Sequence, residues 1–299
     1  MVPLPGTWGA MRIVSRLEQA AGLDRFVSFG QRMARLLPPG RLRDCLHGVW
    51  LGHPVHPVLV QAPLGAWLSA AALDGWQAVD AWRGSGRRPA AEQAAGRLAA
   101  FGVVAVVPAA LAGAADWSEQ HEQQMRVGVV HLLAVTAAAG LYAASFAAGD
   151  PGRSRALRFA GLAAAGAGGL LGGHISVRQA GGANHAEAVP HLVEPGWHDL
   201  CTTASLPDDG PARMLLGEVP LLIVADGARV YALADRCSHL SGALSDGDLA
   251  EGCVTCPWHG SVFRLADGSV ARGPATAPQP VFDTRIRDGV LQVCLPGAG

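Results

Sequence analysis

The stretch RCSHLSGALSDGDLAEGCVTCPWHGSVF, residues 236–263, places a histidine two positions after a cysteine and then repeats nearly the same arrangement. The four side chains are Cys237, His239, Cys256 and His259, in the spacing C-x-H, sixteen residues, C-x2-H. Two such pairs on neighbouring loops can converge on one metal centre, and thiolate with imidazole suits zinc or iron with sulfur. The stretch therefore predicts a metal centre, and at this point both metals remain open.

The sequence around this stretch has the pattern of short β-strands. From about residue 196, apolar or β-branched runs alternate with turns, and these runs are VPLLIVAD, ARVYALAD, SVFRLADGSV and GVLQVCL. Asp-Gly pairs, which favour tight turns, occur at 226–227, 267–268 and 288–289. Residues 196–299 are therefore predicted to form a small antiparallel all-β domain that carries both ligand pairs on its loops.

With its CPWHG segment and the downstream GSV and GPA elements within 268–275, this domain resembles the Rieske family. The resemblance implies a [2Fe-2S] cluster in which Cys237 and Cys256 hold one iron and His239 and His259 hold the other. A zinc ion bound by all four side chains is the alternative. Histidine in place of thiolate makes such a cluster less negative, so the resemblance implies an electron acceptor of moderate strength.

Residues near the ligands distinguish the branches of this family. Ser261 matches the serine that donates a hydrogen bond to the cluster sulfur in the high-potential, quinol-oxidising branch. That branch has a tyrosine where this chain has Phe263, and a disulfide where this chain has Gly242 and Trp258. The resemblance is therefore to a ferredoxin-like Rieske module of intermediate potential. Few residues follow the last strand, so we expect no second iron domain, and the chain is not expected to be a complete Rieske oxygenase.

The composition of the chain indicates a membrane protein with a soluble part. Half of the residues are hydrophobic, 16% are charged, and the mean hydropathy is +0.24. Four apolar runs, each near the ~20 residues that a membrane-spanning helix needs, cover 58–79, 98–115, 127–148 and 157–176. Four buried helices of a soluble bundle are the alternative, but polar positions at a helical period are nearly absent. The net charge of -1, without a basic block, gives no reason to expect nucleic-acid binding.

The predicted fold class is α + β multidomain, with an N-terminal four-helix transmembrane bundle and a C-terminal small all-β Rieske domain. The predicted boundaries are 1–50 for an amphipathic N-terminal arm, 51–180 for the transmembrane domain, 181–195 for a linker and 196–299 for the Rieske domain. In the arm, residues 11–37 interleave apolar residues with arginines, which favours one or two amphipathic helices on the membrane surface. A docked helix with a solvent-exposed face is the alternative.

The helical half carries histidines near the ends of the predicted spans. His53 and His56 precede the first span, His131 lies one turn into the third, and His174 lies near the end of the fourth. With four spans, all these positions belong to the side of the membrane from which the Rieske domain emerges. Ionisable groups at membrane depth are costly and usually line a site.

The sequence around these histidines resembles a family of small four-helix membrane proteins of uncharacterised function. The matching segments, within about residues 47–185, are WLGHPVHPVLVQAPLGAW, GAADW, VGVVH and GGHISVRQAGGANH. We hypothesise that some of these histidines ligate haem b between the helices, with His56 and His131 as the preferred pair. A quinone pocket that uses the same histidines and a polar network that fixes helix packing are the alternatives.

Two arguments about membrane sidedness oppose each other. The positive-inside rule places the loops after the first and third spans in the cytoplasm, because the arginines there are Arg83, Arg87, Arg88, Arg97, Arg153, Arg155 and Arg158. The N-terminal arm places its own arginines, Arg41 and Arg43 among them, on the other side, and anionic cytoplasmic lipid favours such a segment. Cluster insertion takes place in the cytoplasm and no export signal adjoins the Rieske domain, so we favour a cytoplasmic Rieske domain in a multi-pass protein of the cell membrane.

These observations predict a membrane-anchored iron–sulfur electron carrier. The cluster would exchange one electron with a redox partner protein or a quinone, while the helical domain lies in membrane lipid. Whether the chain itself catalyses a reaction is left open. The alternatives are a quinol-oxidising oxidoreductase subunit and a non-redox sensor whose [2Fe-2S] cluster reports oxygen or iron.

Overall fold

The computed structural model describes residues 9–86, 88–206, 210–227 and 229–296, with side chains from residue 13 onward. Arg87, one of the arginines in the sidedness argument, lies outside these residues. The chain forms two compact units. The helical unit contains the chain up to Leu37 together with Val55–Gly181, and the β unit contains Pro38–Pro54 together with the chain from Gly182 onward.

Nine α-helices lie in the described part of the chain. In chain order they are α1 (Gly9–Glu18), α2 (Asp24–Ala34), α3 (Arg41–His47), α4 (His56–Leu59), α5 (Gln61–Trp82), α6 (Pro89–Trp117), α7 (Glu122–Phe146), α8 (Pro151–Gly173) and α9 (Val189–Leu192). The helices α3 and α9 belong to the β unit, and the others form the helical unit. A π-helical stretch, His174–Arg178, continues α8.

Three helices are long and apolar enough to cross a membrane, namely α6, α7 and α8 with its π-helical extension. The fourth long helix, α5, has 22 residues, but it carries Asp74, Gln77 and Asp80. All three of these side chains are buried within the unit, whereas Leu68 and Trp76 of the same helix are exposed. The outward face of α5 is therefore apolar. The predicted helical N-terminal region is confirmed, with three or four candidate membrane-spanning helices.

One ion pair is buried in the helical unit. Arg158 of α8 donates from Nε and Nη2 to the two carboxylate oxygens of Asp74 in α5, at 2.6 and 2.7 Å. The two side chains are 6% and 0% exposed. A bidentate pair satisfies both charges where water is excluded. The pair therefore explains how α5 accommodates a carboxylate inside the helical unit.

Small residues let the long helices approach closely. Trp67 of α5 stacks on Tyr142 of α7, with ring centroids 4.5 Å apart and planes 7° apart. A Cβ at Gly102 of α6 would collide with the Trp67 indole, and one at Gly161 of α8 would lie 2.8 Å from the Tyr142 ring. The two rings therefore pack against helix backbone, as expected where small side chains allow close contact.

The helices α1 and α2 pack on α7 with one side and expose the other. Val14 of α1 packs with Val127, and Val27 of α2 packs with Met125. The apolar residues on the outer side are Ile13, Phe26, Phe29, Met33 and Leu36. Such an apolar face beside arginines suits contact with a membrane surface.

The β unit contains ten strands in its described residues. In chain order they are β1 (His198–Thr202), β2 (Pro211–Leu216), β3 (Val219–Asp226), β4 (Arg229–Ala234), β5 (Asp248–Ala250), β6 (Cys253–Thr255), β7 (Val262–Arg264), β8 (Val270–Arg272), β9 (Val281–Arg287) and β10 (Val290–Cys294). A six-stranded sheet has the order β1-β10-β9-β4-β3-β2, and a four-stranded sheet has the order β5-β6-β7-β8. All the pairings are antiparallel.

The Asp-Gly pairs lie where tight turns were expected. Two of them close the hairpins β3–β4 and β9–β10, and in the second of these Asp288 and Gly289 have φ of 52° and 78°. At the third pair Gly268 has φ of 67°, and a Cβ there would collide with the carbonyl oxygen of Gln279. The predicted all-β C-terminal domain is confirmed.

Candidate metal centre

Two loops of the β unit, 237–242 and 256–261, have the same construction. In each, the amide of the cysteine donates to the carbonyl oxygen five residues later at 2.8 Å. The amide of the fifth loop residue donates back to the cysteine carbonyl, at 2.8 Å in the first loop and 3.0 Å in the second. That fifth residue has a positive φ, 65° at Ser241 and 73° at Gly260. The repeated C-x-H and C-x2-H spacing therefore corresponds to a repeated backbone turn.

The two cysteines of these loops are buried and lie side by side. Cys237 donates a thiol hydrogen bond to Cys256, and this bond is the largest cause that lowers the pKa of Cys256 to about 6. Backbone amides of Trp258 and His259 act in the same direction, while burial opposes it. The same thiol hydrogen bond, followed by burial, raises the pKa of Cys237. One thiolate thus forms readily at neutral pH, and a thiolate is the form that binds metal.

The two histidines of the loops also lie side by side, but closer to solvent. The imidazole centroids of His239 and His259 are 5.0 Å apart, and the ring planes are nearly perpendicular at 86°. Both residues are half-buried. Trp258, which is 54% exposed, stands edge to face against His259 with centroids 6.3 Å apart. The sulfur donors therefore face the interior and the nitrogen donors face the surface.

This division into a sulfur pair and a nitrogen pair fits a binuclear cluster. In a Rieske centre two cysteines hold one iron and two histidines hold the other. A structural zinc site instead gathers four side chains around one ion. The donor set therefore favours two metal positions with two protein ligands each.

Ser261 and Gly242 are two of the positions at which the sequence analysis distinguished the branches of the Rieske family. Ser261 is fully buried, and its Oγ accepts a hydrogen bond from the Ala275 amide at 2.9 Å. The hydroxyl hydrogen is then available for another acceptor, as the resemblance implies for a cluster sulfur. A Cβ at Gly242 would lie 3.0 Å from Cys256 Sγ and from the Trp258 ring. No disulfide joins any of the six described cysteines, and at this point Gly242 of the first loop lies against the Trp258 ring of the second.

Two buried polar residues that the sequence analysis did not identify support the first loop. Gln279 accepts from the Ser238 amide at 2.9 Å and donates to the carbonyls of Ala234 and Arg236, both at 2.7 Å. Asp235, fully buried, accepts from the amide of Ser245 at 2.7 Å and from its hydroxyl at 3.1 Å. Asp235 could have been suspected from the sequence, because it lies directly before the ligand stretch. Nothing in the APQP segment around Gln279 indicated that this side chain supports the loop.

The structure brings together two of the four histidines singled out in the helical half. The rings of His56 and His131 have centroids 6.5 Å apart and planes at 84°. His174 instead bonds Glu18 of α1, with Nε2 2.7 Å from the carboxylate oxygen. His53 belongs to the β unit, where its Nδ1 donates to the Pro54 carbonyl at 3.0 Å.

Each ring of the helical pair is fixed by the backbone of another helix. His56 Nδ1 lies 2.8 Å from the Ala109 carbonyl oxygen, and His131 Nδ1 lies 2.8 Å from that of Gly168. A carbonyl can only accept, so Nδ1 carries the proton in both rings and Nε2 keeps its lone pair. Metal-binding histidines use this arrangement.

Comparison with known proteins gives a separate result for each half of the chain. The Rieske [2Fe-2S] domain family matches residues 196–283, and a family described as predicted membrane protein (DUF2231) matches residues 52–184. The anthranilate 1,2-dioxygenase ferredoxin subunit of Burkholderia cepacia is 34% identical over 97 residues, which are 32% of this chain and 90% of that subunit. Ferredoxin CarAc of Metapseudomonas resinovorans is 31% identical over 99 residues, 32% of this chain and 92% of CarAc.

Among solved structures, the ferredoxin of Sphingomonas yanoikuyae B1 is 27% identical, with a TM-score of 0.31, and the match covers 33% of this chain and 97% of that ferredoxin. The two curated ferredoxins are matched over nine-tenths or more of their length. We conclude that the chain belongs to the Rieske [2Fe-2S] family through its C-terminal domain and carries an N-terminal predicted membrane domain of the DUF2231 type.

Proposed function

We propose that this chain is a membrane-anchored one-electron carrier that serves a redox partner protein. The observation that carries the proposal is the arrangement of a buried thiol pair and a more exposed imidazole pair on two matching loops. A bound [2Fe-2S] cluster supplies reversible transfer of one electron. The names of the matched ferredoxin subunits, which belong to dioxygenases, support a protein as the partner.

The cysteines, the histidines and the helical unit have different roles in the proposed carrier. Cys237 and Cys256 would hold one iron away from water, because both lie inside the β unit. His239 and His259 lie nearer the surface beside the exposed ring of Trp258, so a partner can approach the cluster from this side. The helical unit, with its apolar helices, keeps the carrier in membrane lipid.

Metal and sulfide analysis together with low-temperature EPR of reduced membranes tests this proposal. We expect two iron and two acid-labile sulfide per polypeptide, with the spectrum of a Rieske centre. The Cys256→Ser variant is the matched control and should lack both. Stoichiometric zinc without sulfide would refute the proposal. Rapid loss of the cluster in air would instead favour the oxygen or iron sensor.

We further propose that the Rieske domain lies on the cytoplasmic side. Cys45 is an exposed thiol of the β unit and reports its location. A membrane-impermeant maleimide should leave Cys45 unlabelled in spheroplasts and label it in inverted vesicles, with Cys45→Ser as the control. Labelling of Cys45 in intact spheroplasts would place the domain on the outside.

We also propose haem b as a second cofactor, bound by His56 and His131. What supports it is that Nε2 of both rings keeps its lone pair, because Nδ1 donates to a backbone carbonyl in each. Glycines make room for the rings, because a Cβ at Gly113 would lie 2.8 Å from His56 and one at Gly172 would lie 3.3 Å from His131. When bound, haem would supply a second one-electron centre within the helical unit.

Pyridine haemochrome spectra of protein expressed with haem supply test the second cofactor. We expect a Soret band that is lost in His131→Ala and in His56→Ala and kept in His53→Ala. Absence of a Soret band in the wild type would exclude haem. If quinol then reduces the cluster in the wild type but not in His131→Ala, the quinol-oxidising alternative holds.

A further inference from the structure

A helix from the first fifth of the chain packs on the loop 273–275, which hydrogen-bonds the second ligand loop. In the β unit, Asp44 of α3 accepts a hydrogen bond from the Gly273 amide at 3.0 Å, across 229 sequence positions. A Cβ at residue 273 would lie 3.1 Å from the Val49 side chain and 3.5 Å from His47. His47 is 1% exposed. The contact is therefore a packed interface within one unit and includes a buried side chain.

The loop that Asp44 holds reaches the metal centre two residues later. The Ala275 amide donates to Ser261 Oγ at 2.9 Å, and both residues are buried. Ser261 closes the second ligand loop, because its carbonyl accepts from the Cys256 amide at 2.8 Å. Asp44, the loop 273–275 and Ser261 thus form a continuous line of contacts that ends at a cluster ligand.

Neither family match accounts for this contact. The matches cover residues 52–184 and 196–283, and α3 lies ahead of both. In this chain, α3 therefore adds one carboxylate to the surroundings of the cluster.

We propose that Asp44 is a positioning residue that lowers the reduction potential of the cluster, an inference that rests on the proposed [2Fe-2S] centre. Reduction adds one negative charge to the cluster, and a carboxylate nearby disfavours the form with more negative charge. The hydrogen bond to Gly273 also fixes the loop whose Ala275 amide orients the Ser261 hydroxyl. The carboxylate thus acts through its charge and through the loop, and these two effects can be separated by substitution.

EPR-monitored redox titration of the full chain in detergent measures the effect of the charge. Asp44→Asn keeps an oxygen acceptor for Gly273 and removes the charge. The reduction potential of its cluster should therefore be more positive than that of the wild type, while the cluster content stays the same. Asp44→Ser, with a neutral hydroxyl acceptor, should shift in the same direction. Asp226→Asn is the matched control, because Asp226 lies in the β3–β4 hairpin, at the end of β4 opposite to the ligand loop. Its shift should be much smaller.

Removing the acceptor as well tests the positioning effect. In Asp44→Ala the cluster should be lost at a lower temperature than in Asp44→Asn, as followed by visible circular dichroism. The inference is overturned if Asp44→Asn and Asp44→Ser keep intact clusters but have the same reduction potential as the wild type. It is also overturned if their potentials shift no further than that of Asp226→Asn. A wild-type chain without any iron–sulfur signal would instead refute the proposed function.

Discussion

Two pairs of histidines meet edge to face in this chain, one in each unit. His239 and His259 in the β unit have centroids 5.0 Å apart at 86°, and His56 and His131 in the helical unit have centroids 6.5 Å apart at 84°. The ring geometry is nearly the same, but the surroundings differ. Beside the first pair are two buried thiols, whereas the second pair is surrounded by backbone carbonyls and glycines.

The comparison shows that two imidazole pairs of nearly equal ring geometry can have different donors around them. In the β unit, the nearby thiols complete a set of four donors, and the backbone turns of both ligand loops hold that set. In the helical unit the two imidazoles supply only two donors, so a ligand there must bring most of its own coordination, as a haem does. The donors around a histidine pair therefore decide its chemistry more than the angle between its rings.

Replacing a thiol should produce the largest difference between the two pairs. Cys256→Ser removes one of the four proposed cluster ligands of the β unit, so it should reduce iron and acid-labile sulfide to background levels. The double variant His56→Ala, His131→Ala should retain the wild-type content of both. Cys201→Ser is the control, since this thiol lies on β1 outside the ligand loops. Loss of sulfide in the double histidine variant would contradict the separation of the two pairs.

Removing one member of the buried ion pair should have the next largest effect. Asp74→Ala leaves the Arg158 guanidinium buried without its partner, which costs about 3–5 kcal/mol of unfolding free energy. Thermal unfolding in detergent, followed by circular dichroism, measures the loss. Asp80→Ala on the same helix is the control, because its partner Arg88 is 58% exposed and solvent can replace the lost contact, at a cost of about 1 kcal/mol or less. Equal losses would show that the Asp74 pair is not desolvated as described.

Removing the support of the first ligand loop should destabilise only the pair in the β unit. Gln279→Met loses three hydrogen bonds, two of them buried, at about 1 kcal/mol each, so the cluster should be released at a lower temperature. Visible circular dichroism follows the release. Gln292→Met is the matched control, since its side-chain bonds are exposed. A control with an equal effect would argue against a specific role of Gln279.

The smallest effect is expected where a ring of the helical pair rests on glycine. A Cβ at Gly113 would lie 2.8 Å from the His56 ring, closer than the 3.3 Å between a Cβ at Gly172 and His131. Overpacking costs about 1–3 kcal/mol, partly offset by the gain of about 1 kcal/mol from alanine in a helix. Gly113→Ala should therefore lower the unfolding temperature, and Gly172→Ala should change it less. The reverse order would mean that the His56 ring can move away without cost.

The sequence predicted features that depend on local patterns. The family and the combination of apolar helices with an all-β domain are confirmed, because ligand spacing, short strand runs and long apolar runs are readable within a few tens of residues. The assignment of each ligand to an iron, and of His56 and His131 to haem, remains a prediction. The buried polar face of α5 was not predicted. Its role depends on the pairing of Asp74 with Arg158 of α8, which the sequence alone does not show.

Contacts between distant positions could not be predicted. Gln279 supports Ser238 from 41 positions away, and Asp44 contacts Gly273 from 229 positions away. No periodicity or spacing encodes such pairs, because they depend on the tertiary arrangement. Helix ends were also uncertain. The apolar run began at 98, but α6 begins at Pro89, since proline suits a first helical turn and the residues that follow are good helix formers.

The placement of α3 in the β unit also has a consequence for biogenesis. This helix emerges from the ribosome roughly 220 residues before the Gly273 loop, so at about 5–20 residues per second it waits roughly 10–45 s for its partner. During that interval the helices that separate them are synthesised and can enter the bilayer. The four candidate ligands are therefore synthesised after all of the long apolar helices.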